Sequence, residues 1–169
     1  EITVRDWSSD VCSSDLLEDT VQLDDSIYPV PHIIVDGQWE ERPPPPDTDW
    51  GQRFRRLQLY ARQRIYHFLD PRLFEDDTIA EIGQYSIYAI NDELFSLTVV
   101  PEQVPCTSVP LTDLIFFDRG DTDAGALVRR EELAEKFPHL IQPHDQVHPP
   151  RFRVFQPTPA EFAELPRWE

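Results

Sequence analysis

The alternation of apolar and polar positions is clearest in the middle of the chain, where three runs have the composition of β-strands. Residues 85–90 and 93–100 are rich in Tyr, Ile, Leu, Val and Phe, and two residues separate them. A two-residue loop fixes the register of a hairpin, so Ile90 should lie opposite Glu93. Residues 111–117 form a third apolar run. These runs predict a small antiparallel sheet as the centre of the fold.

The predicted hairpin has two unlike faces, because successive side chains of a strand point to opposite sides. One face is mixed and includes Ser96 and Thr98, so we expect it to be half covered. The other face is more apolar and is expected to form the core: Tyr88, Ile90, Phe95, Leu97 and Val99.

Helical spacing of apolar residues marks one long amphipathic helix at residues 49–69. Asp49 is the expected N-cap. The dipeptide Asp70-Pro71 should end the helix, since the residue before a proline avoids the helical region. The expected buried stripe consists of Trp50, Phe54, Leu57, Ala61, Ile65 and Phe68.

Shorter signals complete the predicted fold. Asp36-Gly37 indicates a second hairpin at residues 30–40. Residues 129–137 read as a short helix, and Thr158 begins another with a capping box. We expect loops at residues 104–110 and 138–150. The fold class is α+β: an antiparallel sheet of about four or five strands, with the long amphipathic helix packed on it and short helices near the C-terminus.

Residues 1–16 resemble the translation of a sequencing adapter rather than a protein. The run from Asp6 to Leu16 has no hydrophobic period. Reverse translation of this run in one reading frame gives the constant region of a common short-read adapter. Such scars are excluded from fold reasoning. We therefore expect residues 17–169 to be a single domain and the C-terminal part of a longer protein. Cys106 is then its only cysteine, which rules out an internal disulfide.

The net charge of the chain limits the classes of partner that it can bind. The sequence has 32 acidic and 15 basic residues, a net charge of −17. Excluding residues 1–16 removes four acidic residues and one arginine and leaves −14. A surface this acidic argues against nucleic acid as a partner. Acidic composition with arginine favoured over lysine suits a salt-adapted, halophilic organism, a GC-rich genome or both, and a metagenomic source. No run of about 20 apolar residues occurs, so we expect no membrane span and a cytoplasmic location.

The predicted long helix carries the basic cluster of this acidic chain. One interpretation is an interaction surface that docks phosphate, nucleic acid or an acidic protein partner. The other is a solvated face that pairs with the protein's own carboxylates. The cluster consists of Arg53, Arg55, Arg56, Arg62 and Arg64.

The passage from the third apolar run into the loop at Asp118 is one candidate for chemistry. An apolar strand followed by Asp118 and then Asp121 resembles the nucleophile motif of haloacid-dehalogenase-type phosphatases. In that motif the second Asp is two residues on, whereas here it is three. The resemblance implies phosphoryl transfer with Asp118 as nucleophile. Asp121, Asp123 and Glu132 also have the spacing of calcium-loop ligands, and a polar turn is the simplest alternative.

A group of histidines forms a candidate metal site. His144 and His148 are four apart, as in the zinc motif H-E-x-x-H, with Asp145 in place of the glutamate. Several prolines prevent this segment from forming a long helix. A loop site formed by His139, His144 and Asp145 would suit a divalent metal, while solvated histidines are the alternative.

These patterns favour a non-enzymatic accessory or protein-interaction domain that needs no cofactor. One alternative is a metal-dependent hydrolase or phosphotransfer domain that uses the Asp118–Asp123 loop or the His139–His148 cluster. Another is an acidic mimic that inhibits nucleic-acid-binding proteins.

Overall fold

The computed structural model divides the chain into two compact units, Glu1–Arg62 and Gln63–Glu169. The first contains a β-hairpin and the start of a long helix. The second contains two four-stranded sheets and two short helices in its described part. The structure describes residues 32–35, 37–41, 45, 47–73, 81–91, 93–120, 125–144 and 149–168.

The hairpin of the first unit confirms the pattern seen around the Asp-Gly pair. Strand β1 (His32–Val35) pairs antiparallel with β2 (Gln38–Glu41), and Val35 lies opposite Gln38. Gly37 has φ +82°, a conformation that glycine adopts without steric cost.

The long helix α1 (Asp49–Leu73) begins at Asp49, as predicted, but it has a different N-cap residue and ends four residues later than predicted. The backbone N–H of Gly51 donates to Thr48 Oγ1 at 2.9 Å, so Thr48 caps the helix and Asp49 opens its first turn. The helix continues through Pro71, so the predicted end at Asp70 was wrong. Proline disfavours the helical region at the preceding residue, but it removes only one backbone hydrogen bond.

The buried side of α1 agrees with the predicted stripe along its first half. Phe54, Leu57 and Ala61 are all buried. Further along, Phe68 is 67% exposed, which contradicts the prediction, and Tyr66 is buried in its place. These two residues lie about 200° apart around a helix, so burial of one turns the other towards solvent.

The second unit is α+β, as predicted, but its strands form two mixed sheets instead of one antiparallel sheet. The sheet orders are β3-β6-β10-β9 and β4-β5-β7-β8. The β3–β6 and β5–β7 pairs are parallel, and the other pairs are antiparallel. The strands are β3 (Glu81–Ile82), β4 (Ser86–Ile90), β5 (Glu93–Val100), β6 (Cys106–Pro110), β7 (Leu114–Phe117), β8 (Ala126–Arg129), β9 (Ile141–Pro143) and β10 (Arg151–Phe155).

Segment β6 explains why the predicted topology was wrong. Residues 104–110 were expected to be a loop, yet Thr107, Ser108 and Val109 are fully buried between β3 and β10. The chain therefore leaves β5, forms a strand in the other sheet and returns as β7 beside β5. Parallel neighbours require such a crossover, and its distant pairing leaves no local pattern in the sequence.

The β4–β5 hairpin has the predicted register but the opposite buried face. Ile90 lies opposite Glu93, as expected from the two-residue loop. However, Ser96 and Thr98 are 1% exposed, whereas Tyr88 and Val99 are 49% and 40% exposed. The buried face of β5 packs against the core shared by the two sheets. This packing decides which face is buried, although the other face is somewhat more apolar.

One core joins the two sheets of the second unit. Its residues come from β5, β7 and β8 on one side and from β6, β9 and β10 on the other. The short helices α2 (Arg130–Lys136) and α3 (Pro159–Ala163) follow near the C-terminus. Leu133 of α2 is fully buried, and Thr158 and Glu161 form the predicted capping box of α3. Strand β9 corrects the expectation that residues 138–150 are irregular throughout.

Candidate functional site

Two arginines and a tyrosine form an exposed face on the first half of α1. Arg53, Arg56 and Tyr60 are separated by three and four residues, so they lie on one side of the helix. All three are exposed. The guanidinium carbon of Arg56 lies 5.9 Å from the centroid of the Tyr60 ring, within the range of a cation–π contact. We call these three residues the arginine–tyrosine face.

The other three arginines of the predicted cluster have different surroundings. Arg55, Arg62 and Arg64 are half-buried. Arg55 Nη1 donates to Gln58 Oε1 at 3.3 Å. Arg64 belongs to the second unit and lines a pocket there. The five arginines thus do not share one surface, because consecutive helical positions are rotated by about 100°.

Asp118 forms a turn at the end of β7. Its Oδ1 accepts a hydrogen bond from the backbone N–H of Gly120 at 2.9 Å, and its own N–H donates to the carbonyl of Val100. The next residue, Arg119, forms an ion pair with Glu102 at 3.2 Å. Gly120 has φ +69°. Asp121 and Asp123 lie outside the described residues, so the structure gives the turn but not the remaining members of the predicted aspartate site.

His139 contacts the cap of α3. Its Nε2 lies 2.7 Å from Glu161 Oε1. Hydrogen bonds from the Thr158 hydroxyl, the Thr158 backbone N–H and His139 lower the pKa of Glu161 to about 2. This carboxylate therefore stays ionised through most of the acid range, as a capping group requires.

His144 has a separate, buried environment. It is 6% exposed, and its Nδ1 lies 3.3 Å from Ser108 Oγ. Asp145 and His148 lie outside the described residues. Within the described ranges, no group of three or more His, Cys, Asp or Glu side chains is arranged to hold a metal ion. His139 and His144 thus contact different groups, and the structure does not join them in one site.

A buried polar network centres on Arg151, which the sequence analysis did not single out. Arg151 is 2% exposed, and its Nη2 donates to the carbonyls of Gly83 at 2.9 Å and Ser108 at 2.8 Å. Its Nε donates to Ser108 Oγ at 3.1 Å, and its guanidinium carbon lies 5.5 Å from the Tyr66 ring. Ser108 Oγ thereby links Arg151 to His144. The network ties β10 to β6 and to the segment before β4, which is a structural role.

A pocket of about 320 Å³ opens between α1 and the segment that leads into β4. Gln63 Nε2 donates to the carbonyl of Tyr85 at 3.5 Å, which joins the two walls. Sequence reasoning missed this pocket because its two walls are about 20 residues apart and share no motif. Its lining consists of Gln63, Arg64, His67, Gln84, Tyr85 and Ser86.

Cys106 is a free, half-buried cysteine at the start of β6. Burial raises the pKa of its thiol, and the nearby charge of Arg153 only partly opposes this effect. Since the thiolate is the nucleophile, a raised pKa disfavours a reactive role.

Comparisons with protein families, with curated proteins and with solved structures give no match to this chain. Among the helices in the described ranges, we find none with the length and apolar sequence that crossing a membrane requires.

Proposed function

We propose that this chain is a non-enzymatic accessory domain that binds an acidic surface of a partner protein through the arginine–tyrosine face of α1. The observation that carries the proposal is the exposure of Arg53, Arg56 and Tyr60 on one side of a helix. Arginine and tyrosine are enriched among the residues that dominate binding energy at protein interfaces.

The charge pattern supports an acidic partner. Residues 50–69 contain five arginines and no Asp or Glu, although the whole chain has a net charge of −17. No ion pair joins Arg53 or Arg56 to another residue in the described part of the chain. Their positive charge is therefore available to an incoming carboxylate, and complementary charge speeds association and fixes register.

The packing of Arg56 on Tyr60 also favours a binding role. A guanidinium held against an aromatic ring has fewer conformations to lose when a partner orders it, and the ring adds contact area. The turn at Asp118 supports the alternative hydrolase less well than the arginine–tyrosine face supports binding. Oδ1 of Asp118 already accepts a backbone hydrogen bond within its own turn.

The test compares two arginines that are stacked on aromatic rings in different parts of the chain. Arg56 lies 5.9 Å from the Tyr60 ring, and Arg167 lies 5.6 Å from the Phe162 ring. Immobilised wild type, Arg56→Gln and Arg167→Gln would be used to capture proteins from a lysate, followed by affinity measurement with each captured protein. We expect an acidic partner whose affinity falls about tenfold with Arg56→Gln, or about 1.4 kcal/mol, and stays within twofold with Arg167→Gln.

The outcomes separate the alternatives. Equal losses in the two variants would contradict the proposed surface, because they would reflect a general charge effect. A basic partner that binds Arg56→Gln as tightly as wild type would favour the acidic-mimic alternative. Turnover of a phosphate ester that depends on a divalent metal and is lost in Asp118→Asn would favour the hydrolase.

A further inference from the structure

We propose that the pocket beside α1 in the second unit binds a small organic oxyanion through its phosphate or carboxylate group. This site lies in the second unit, whereas the arginine–tyrosine face lies in the first. The pocket volume of about 320 Å³ falls at the lower end of the range of about 300–1,000 Å³ found for small-molecule sites. It is also far larger than one water molecule, which occupies about 30 Å³.

The chemistry of the lining selects an anion. Arg64 contributes a guanidinium, Gln63 and Gln84 contribute carboxamide N–H groups, and Ser86 contributes a hydroxyl. His67 adds an imidazole that can donate a hydrogen bond. No carboxylate occurs among the described lining residues, although the chain has 32 acidic side chains. Charge-assisted hydrogen bonds from arginine to carboxylate or phosphate oxygens are about twice as strong as neutral ones.

The floor of the pocket is held in place by a chain of contacts. Tyr85 is 5% exposed, and its ring stacks on Tyr66 with a centroid separation of 5.3 Å. The Tyr66 hydroxyl donates to the carbonyl of Pro150 at 2.6 Å and accepts from the backbone N–H of Leu111 at 3.1 Å. A ligand therefore meets a floor that is already ordered, which lowers the entropic cost of binding.

The rim of the pocket differs from its floor. Gln84 and His67 are exposed, while Gln63, Arg64 and Ser86 are half-buried. We infer that Arg64 and Gln63 hold the anionic group at depth. Gln84 would contact the remainder of the molecule, and the Tyr85 ring would pack against its carbon atoms.

The experiment is an NMR titration of the full chain with inorganic phosphate in one arm and citrate in the other. We expect saturable shifts in the side-chain amides of Gln63 and Gln84 and in the backbone amide of Ser86. Arg64→Gln should weaken binding at least tenfold, and Gln84→Ala, at an exposed position, about threefold. Arg167→Gln, at an exposed position outside the pocket lining, should leave the affinity unchanged.

The two titrations identify the anionic group that the pocket recognises. Tighter binding of phosphate indicates a phosphate group, and tighter binding of citrate indicates a carboxylate. Shifts that rise linearly without saturation, or equally in wild type and Arg64→Gln, would overturn the proposal. If Arg64→Gln lowers the melting temperature of the protein, Gln84→Ala provides the decisive comparison. Loss of this site would leave the partner proposal intact, since that proposal is tested at Arg56.

Discussion

Gly83 lies close to side chains of both sheets of the second unit. A Cβ atom added at this position would lie 2.5 Å from Thr98 Oγ1 on β5 and 3.3 Å from Val109 Cγ1 on β6. Gly83 is not in the positive-φ region, so alanine faces no backbone penalty there. The substitution Gly83→Ala therefore tests side-chain crowding, chiefly against Thr98 of the other sheet, rather than backbone strain.

The expected cost follows from this geometry. A separation of 2.5 Å is about 1 Å shorter than ordinary contact between heavy atoms, and Thr98 is only 1% exposed. Overpacking of a filled core typically costs about 1–3 kcal/mol. We expect Gly83→Ala to lower the free energy of unfolding by about 2 kcal/mol and Tm by roughly 4–8 °C, since 1 kcal/mol shifts Tm by about 2–4 °C in a chain of this size.

A second substitution identifies the atom responsible. Thr98 Oγ1 is buried and has no hydrogen-bond partner in the described part of the chain, so removing it with Thr98→Ala sacrifices no hydrogen bond there. In the double variant Gly83→Ala/Thr98→Ala the new methyl group occupies the space that the hydroxyl leaves. We expect a coupling energy of at least about 1 kcal/mol in favour of the double variant.

The measurement is urea unfolding followed by far-UV circular dichroism for wild type, both single variants and the double variant. Gly37→Ala is the matched control, because nothing lies within 4 Å of its added Cβ but its φ is +82°. Its cost is therefore backbone strain, and Thr98→Ala should not relieve it. A neutral Gly83→Ala, or a coupling energy near zero, would refute the close packing of the two sheets at this point.

Two further predictions concern the polar groups of the second unit. The pKa of Glu161 is depressed to about 2, so the cap of α3 gains stability above the ordinary carboxyl pKa of 4.5 and loses it as the pH falls through about 2. Carbonyl NMR of Glu161 should titrate with a midpoint near 2, and a midpoint near 4.5 in wild type would contradict the cap. Arg151→Lys should destabilise the protein by roughly 3 kcal/mol, because hydrogen bonds to charged groups contribute about 1.5–3 kcal/mol. Arg153→Lys on the same strand should cost less than about 1 kcal/mol, since its Nε has no partner among the described residues; equal costs in urea unfolding would argue against the Arg151 network.

Local rules were enough to predict several elements of this protein from its sequence. The two-residue loop set the register of the β4–β5 hairpin, so that Ile90 lies opposite Glu93. The apolar spacing of α1 located Phe54 and Leu57 on its buried side. The capping box at Thr158 identified α3. Each of these features depends on residues within a few positions of one another, and their geometry is the same wherever the segment lies in the fold.

Tertiary structure decided which strands pair and which faces are buried. Ser96 and Thr98 became interior residues because β5 packs against the core of both sheets, whereas the more apolar Tyr88 and Val99 face outward. Strand β6 became a central strand although prolines bound it at both ends, because distant strands satisfy its backbone hydrogen bonds.

The Arg151 network and the pocket beside α1 likewise depend on segments that are distant in sequence. Arg151 donates a hydrogen bond to the carbonyl of Gly83, which is 68 residues away in the sequence. Gln63 donates one to the carbonyl of Tyr85, which is 22 residues away. The burial of a polar side chain is favourable only when such partners are in place. A sequence pattern records which residues are apolar, but the partners that make a buried arginine stable exist only in the folded chain.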